Sequence, residues 1–295
     1  MNLMNYYSRR PRMPGKLSDR HVVKVLLRNA GLSTVCEEAR CPNISDCFRA
    51  KTATFLILGD VCTRGCNFCA IPKSKTPKLP DSGEPQRVAK AVSDLNLSHV
   101  VITSVTRDDL KDGGAQAFAD CIKEIRTTCP ATTVEVLVPD FAGNPTALAK
   151  VLSESPAVLN HNLETVPRLY PTVRPGASFS RSLEIIRQAA SCNLIVKSGL
   201  MAGLGESYQE IMDVLASLAQ AGCRVVTVGQ YLQPTYYSLP VAKIYSQDEF
   251  DRIAGQGEKM GLLVVAGPLV RSSFKAGEVL EKLMLKNKSD FDTDI

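Results

Sequence analysis

An incomplete α/β barrel is the fold this sequence predicts, and three observations carry it. Apolar runs of strand length alternate with stretches of helical periodicity from Thr54 onward, the pattern of parallel βαβ units. Crossovers of that kind are right-handed and curl a sheet in one sense. About 230 residues and six or seven repeats are available, against the ~250 residues and eight repeats of a closed barrel. The expected architecture is an incomplete (βα)6-type TIM barrel with an N-terminal and a short C-terminal extension. A doubly wound sheet has the same alternation and stays open as the alternative.

The elements follow in order. Residues 1–35 read as a loosely structured arm and then a short helix, Asp19 to about Asn29, which Gly31 is placed to end. Next comes a turn-rich loop holding Cys36, Cys41 and Cys47, spaced C-x4-C-x5-C among Pro42, Asn43, Ser45 and Asp46. Strands are expected at Thr54–Leu58, His99–Val105, Thr133–Pro139, Ala157–Asn162, Leu194–Leu200, Arg224–Leu232 and Gly261–Leu269. Helices are expected at Gln86–Leu95, Ala115–Thr127, Ser182–Ala190, Ser207–Gln220 and Gln247–Lys259. The polar tail Lys286–Ile295 is expected to fray. The division that results is 1–50 for the arm and first cysteine loop, 51–270 for the barrel, and 271–295 for the C-terminal extension.

Composition narrows the class. A chain of 295 residues, 44% hydrophobic and 22% charged, can bury one barrel-sized core. Its net charge of +5 does not call for nucleic acid, though it suits an acidic protein partner. No apolar run reaches the ~20 residues that span a bilayer, and no secretory pattern opens the chain. Arg9-Arg10-Pro11-Arg12 reads as a basic arm, because its prolines spoil an amphipathic targeting helix. Ten cysteines without an export signal point to a reducing, cytoplasmic compartment and to metal ligation.

The chemistry concentrates after the first barrel strand, in Gly59-Asp60-Val61-Cys62-Thr63-Arg64-Gly65-Cys66-Asn67-Phe68-Cys69. Three thiolates at C-x3-C-x2-C suit zinc, copper(I) or an iron–sulfur cluster. Structural zinc normally takes four ligands, so three suggest a 4Fe–4S cluster with one iron open. A zinc loop or a group of buried thiols is the plain alternative, for this group and for Cys36, Cys41 and Cys47.

Other strand ends carry polar groups. Thr103 to Asp109 offers hydroxyls and charges, and Gly113-Gly114 would let a helix start approach an anion, unless the stretch is only a capped loop. Alternation sends Asn160, Asn162 and Glu164 to the barrel interior. Gly199 to Glu206 lacks a dinucleotide fingerprint, and its small residues would let an adenine pack on backbone. Cys121, Cys129, Cys192 and Cys223 read as small core residues, and His21, His99 and His161 have no nucleophile at an interpretable spacing.

With both cysteine groups in view, the chain resembles the lipoyl synthases of the radical S-adenosylmethionine (SAM) enzymes from about Arg9 to Ala276. Arg107-Asp108-Asp109-Leu110, Asn162-Leu163-Glu164-Thr165-Val166, Gly229-Gln230-Tyr231-Leu232-Gln233-Pro234 and Arg271-Ser272-Ser273 match as well. Thr106, Lys111, Phe274, Met13-Pro14 and Ser238 depart from the usual residues. The resemblance implies a radical sulfurtransferase with two 4Fe–4S clusters and SAM, which inserts sulfur at carbons 6 and 8 of an octanoyl-lysine. It places the SAM-binding cluster on Cys62, Cys66 and Cys69. The sulfur-donating cluster falls to Cys36, Cys41 and Cys47, and for its remaining iron the resemblance favours Ser273, with Ser272 left open as the alternative. It puts Ser104, Asn162, Glu164 and Arg174 against SAM. It implies a monomer that meets an octanoylated lipoyl carrier domain, either the E2 subunit of a 2-oxoacid dehydrogenase or the glycine cleavage H protein. An electron donor such as ferredoxin or flavodoxin and a cluster-repair protein complete the set, with neither nucleic acid nor membrane. The alternatives are a biotin synthase-like or methylthiotransferase-like enzyme, a two-cluster electron carrier and a zinc-stabilised interaction protein.

Overall fold

The computed structural model describes residues 24–38, 43, 47 and 52–292, with side chains through 285. The basic arm, His21, Cys41 and the start of the Asp19–Asn29 helix lie outside the described residues. Helical residues 24–29 end at Gly31, whose φ of 64° is the left-handed turn a glycine takes without a Cβ clash.

One eight-stranded sheet organises the molecule, in sequence order. Its strands are β1 Ser33–Thr34, β2 Thr52–Ile57, β3 His99–Ser104, β4 Thr133–Leu137, β5 Val158–Asn160, β6 Ile195–Ala202, β7 Val225–Gln230 and β8 Leu263–Gly267. The seven from β2 to β8 are parallel, while β1 runs antiparallel on the outer edge of β2 and covers it. Among the described residues β8 does not pair with β2, so the barrel is open, as expected. It has seven parallel strands, six of them followed by a helix of the outer layer, within the six or seven repeats anticipated.

The helices are α1 Glu84–Asp94, α2 Ala115–Thr128, α3 Pro145–Ser153, α4 Phe179–Ser191, α5 Tyr208–Gln220, α6 Gln247–Lys259 and α7 Ala276–Asp292. In α3, Pro145 sits at the first position and Asn144 caps Thr146 and Ala147 through its side chain. Capping boxes at Ser207/Glu210 and Ser246/Glu249 start α5 and α6. Strand alternation then sorts the core. Phe55, Ile102, Val136 and Leu159 share one register row and are fully buried beneath the helices.

The opposite row, Leu137, Asn160, Lys197, Val225 and Leu263, faces the lumen. There α7 returns into the concave side of the sheet, packing Val279 and Leu283 against Ile195, Val225 and Leu263. The tail from Lys286, expected to fray, is helical in α7 as far as Asp292, and its last three residues lie outside the described residues. Cys121 and Cys223 are buried and Cys129 is partly so, in line with core packing, but Cys192 is exposed at the end of α4. No helix among the described residues is long and apolar enough to cross a membrane.

Candidate active site

The cysteine loop leaves β2 through Leu58 and Gly59, both with positive φ (68° and 89°). The turn is fixed by Glu84, whose carboxylate accepts the Leu58 N–H at 2.9 Å, and by Arg107, which donates to the Leu58 carbonyl at 3.2 Å. Arg107 is fully buried and forks onto Asp109 with two bonds of 2.8 Å. The neighbouring Asp108 takes Arg64 from within the cysteine loop at 2.6 and 2.8 Å. Asp140, buried after β4, takes Arg64 from the other side at 2.6 Å. Burial alone would raise the Asp140 carboxyl, but Arg64 holds it down to about 2.

Further contacts hold the rest of the loop. The Cys62 N–H donates to the Pro72 carbonyl at 2.9 Å, and Asn67 donates to the carbonyls of Thr172 and Val173 at 2.7 and 3.0 Å. Cys62, Cys66 and Cys69 are all partly buried. Burial pushes the Cys66 thiol up, against the guanidinium of Arg174, and pushes Cys69 up to about 11. Among the described residues, no three His, Cys, Asp or Glu side chains converge to the range of a single ion. A cubane cluster asks for something wider, since each thiolate binds its own iron.

The strand-end residues meet on this mouth. β5 stops at Asn160, yet Asn162 and Glu164 stay on its side, because Glu164 re-joins β6 through backbone bonds to Gly199 and Met201, each 2.9 Å. Glu164 does so at φ 67°, an uncommon conformation for a non-glycine residue. Asn162 donates to Glu164 at 3.1 Å, and the other carboxylate oxygen has no partner among the described residues. Burial raises the Glu164 carboxyl, while Arg174 and Asn162 oppose the rise. Arg174 donates to the carbonyls of Asn162 and Leu163 at 2.9 and 3.2 Å, and its buried Nε is unpaired. The buried hydroxyl of Ser104, at the end of β3, is unpaired as well.

The C-terminal segment enters the same place. Ser272 accepts from Asn160 at 2.9 Å and donates to Asn162 at 3.0 Å. Asn160 also donates to Glu135 at 2.9 Å, and Glu135 pairs with Lys197 at 3.1 Å inside the lumen. Hydrogen bonds thus connect Lys197 to Glu164: Glu135 accepts from both Lys197 and Asn160, and from Asn160 the donors point one way, through Ser272 and Asn162 to Glu164. Ser273 is half-buried, and its hydroxyl has no partner among the described residues. Of the first cysteine group, Cys36 is buried on the one-turn helix Val35–Glu38, Cys47 is half-buried, and Cys41 lies outside the described residues. Asn43, between them in sequence, donates its amide to the Leu269 carbonyl at 2.7 Å, two residues before Arg271.

The structure bears on two further stretches. The side of Gly203 that a Cβ would fill is occupied by Gln230 and the Lys243 carbonyl, so this glycine is required by the chain's own packing. Asp112 caps the start of α2 at the N–H groups of Gly114 and Gln116 (3.0 and 2.9 Å), which makes the Gly113-Gly114 stretch the capped loop. Sequence reading missed Arg64, Glu84, Asp140 and the Glu135–Lys197 pair. Only the Asp-rich strand ends hinted at them.

The residues fit the groups anticipated. The Cys66 thiol sits within reach of the guanidiniums of Arg64 and Arg174, and unpaired polar atoms of Ser104, Glu164 and Arg174 remain for a polar ligand. The sequence pattern of the Radical SAM superfamily matches residues 56–218. The lipoyl synthase of Caldicellulosiruptor saccharolyticus is 50% identical over 272 residues, 91% of this chain and 95% of that protein. That of Symbiobacterium thermophilum is 52% identical over 259 residues, 87% and 81% of the two chains. Methylornithine synthase superposes with a TM-score of 0.53 at 14% identity, over 84% of this chain and 81% of its own. Streptococcus suis SuiB bound to S-adenosylmethionine does so with 0.58 at 10% identity, over 76% and 53%. These two structures support the fold alone. Half-identity to such relatives along most of the length settles the family: the chain belongs to the lipoyl synthases of the radical SAM superfamily.

Proposed function

We infer that this chain inserts two sulfur atoms, at carbons 6 and 8, into an octanoyl group carried on a lysine of a lipoyl carrier domain. When bound, SAM and the cluster on Cys62, Cys66 and Cys69 supply the 5′-deoxyadenosyl radical, and the second cluster supplies the sulfur. The chain's own residues bind, orient and shield. Arg64 and Arg174 balance the charge of the thiolates. Glu164, Asn162, Arg174 and Ser104 orient SAM, with the open carboxylate oxygen of Glu164 suited to an ammonium. Cys36, Cys41, Cys47 and Ser273 hold the second cluster.

One observation supports this division best. Asn43 ties the first cysteine segment to Leu269, and Ser272 ties the next few residues to Asn160 and Asn162. The first cysteine segment is thereby linked to the Asn160–Glu164 strand end through the Arg-Ser-Ser segment, with Ser272 engaged and Ser273 left over. The division into 1–50, 51–270 and 271–295 belongs to the same reading. So do a carrier of the 2-oxoacid dehydrogenase or glycine cleavage type, a ferredoxin or flavodoxin donor, a cluster-repair protein and a reducing, cytoplasmic setting.

Mass spectrometry of an octanoyl-lysyl peptide, incubated with the reconstituted chain, reductant and SAM, tests the function. The expected product carries two added sulfurs. SAM cleavage without sulfur on the peptide would point to another radical SAM reaction, and zinc in place of iron would end the cluster reading.

A further inference from the structure

The loop after β7 is tightly built, yet it offers two large side chains to solvent. Gln233 donates to the carbonyls of Tyr236 and Ser238 at 3.3 and 2.9 Å, and the hydroxyls of Thr235 and Ser238 are 2.8 Å apart. Tyr231 donates its hydroxyl to the Leu239 carbonyl at 2.7 Å, and the Leu239 N–H donates to Asn67 of the cysteine loop at 3.1 Å. The loop is held still and fastened to the barrel mouth. Tyr236 and Tyr237 nevertheless stand 91% and 96% exposed, edge to face with ring centroids 5.8 Å apart. Neither ring contributes to the core, and neither hydroxyl has a partner among the described residues. Rigid, exposed tyrosines give large contact area at low entropic cost, which is why they recur as interface anchors.

A second segment leaves the other end of the same cysteine loop. Residues 71–80 are tied to Cys62 by a bridge to Lys73 and by the Ser74 N–H bond to the Cys62 carbonyl at 3.0 Å. Lys73, Lys75 and Lys78 are exposed there, without an ion pair among the described residues. The first carboxylate after them, Asp81, is already paired with Arg87 at 2.9 Å. Residues 232–242 contain no carboxylate. The rim is therefore aromatic on one side and positive on the other.

We propose that Tyr236 and Tyr237, with Lys75 and Lys78, form the docking surface for the folded lipoyl carrier domain, through an acidic face of that domain. This rests on the substrate reading above. A lysine arm that enters the mouth brings its domain to rest on the rim, whereas a second copy of this chain would set positive rim against positive rim.

The test compares two substrates, a short octanoyl-lysyl peptide and the octanoylated carrier domain, with the full reconstituted chain. Tyr236→Ser/Tyr237→Ser and Lys75→Glu/Lys78→Glu change only exposed positions. Each is expected to raise the KM for the carrier domain roughly tenfold while peptide thiolation and SAM cleavage stay unchanged. The KM of the parent chain for the carrier, and not for the peptide, should rise with salt. Equal carrier KM in parent and variants overturns the docking surface alone. Failure of the parent chain to thiolate either substrate overturns the substrate reading, and the docking falls with it. A parent dimer that the variants break into monomers, with carrier kinetics unmoved, assigns the rim to self-association and overturns the proposal.

Discussion

Ser272 and Ser273 are adjacent and differently placed. Ser272 is held between Asn160 and Asn162, whereas Ser273 is without a hydrogen-bond partner among the described residues. Ser272→Ala removes one bond from each amide and leaves Asn162 less firmly set against Glu164. SAM affinity should fall about fivefold, the equivalent of ~1 kcal/mol, with iron content normal; calorimetric titration with SAM checks this. Ser273→Ala should keep SAM cleavage and lose the lipoyl product, as counted by sulfur mass after a single turnover. Two sulfurs at the parent rate would make Ser273 a bystander. The distinction between the serines was not legible in the sequence, because Ser272's partners lie 112 and 110 residues away. Nor was the positive φ of Glu164, which depends on its pairing with β6.

At the level of elements, the cysteine loop takes its shape from its neighbours. Arg64 reaches Asp108 after β3 and Asp140 after β4, and Arg107 reaches back to Leu58. Asp140 also takes Arg181 of α4 at 3.2 Å and caps Ala142. Asp140→Ala would strand the nearly buried Arg64 and should cost about 3 kcal/mol, visible in urea unfolding, along with weaker iron retention at the Cys62 group. Unchanged stability and iron content would mean that Asp108 alone suffices. The strands and most helices were readable from periodicity, because each alternates one buried and one lumen-facing row. In the N-terminal region the end of the short helix was legible from Gly31, which takes a positive φ there. The helix α3 was not singled out, though Asn144-Pro145 marks its start. The course of α7 into the lumen was hidden, since its apolar stripe looks like that of any surface helix.

For the molecule as a whole, buried titratable groups set the acid limit. His161 donates through Nδ1 to the Val138 carbonyl at 2.8 Å, and burial, with Arg174 nearby, depresses its pKa to about 4. The unfolded chain binds this proton first, so the contribution is complete above the ordinary value of about 6.5 and is lost as pH falls toward 4. Its size is on the order of 3 kcal/mol. Glu135 and Asp140, each held at about 2, extend the loss to lower pH. Unfolding free energy measured by urea against pH should slope downward from 6.5, and His161→Gln should flatten the stretch above pH 4. The lumen has a consequence in time as well as in space. Strands that pair in the order of the sequence can assemble while a ribosome is still delivering the chain. The lumen stays unfilled until Leu283 has emerged to meet Val225 and Leu263. A nascent polypeptide stopped after β8 would carry all six cysteines of the two groups but neither serine, so on the function proposed above translation itself would withhold activity from unfinished copies.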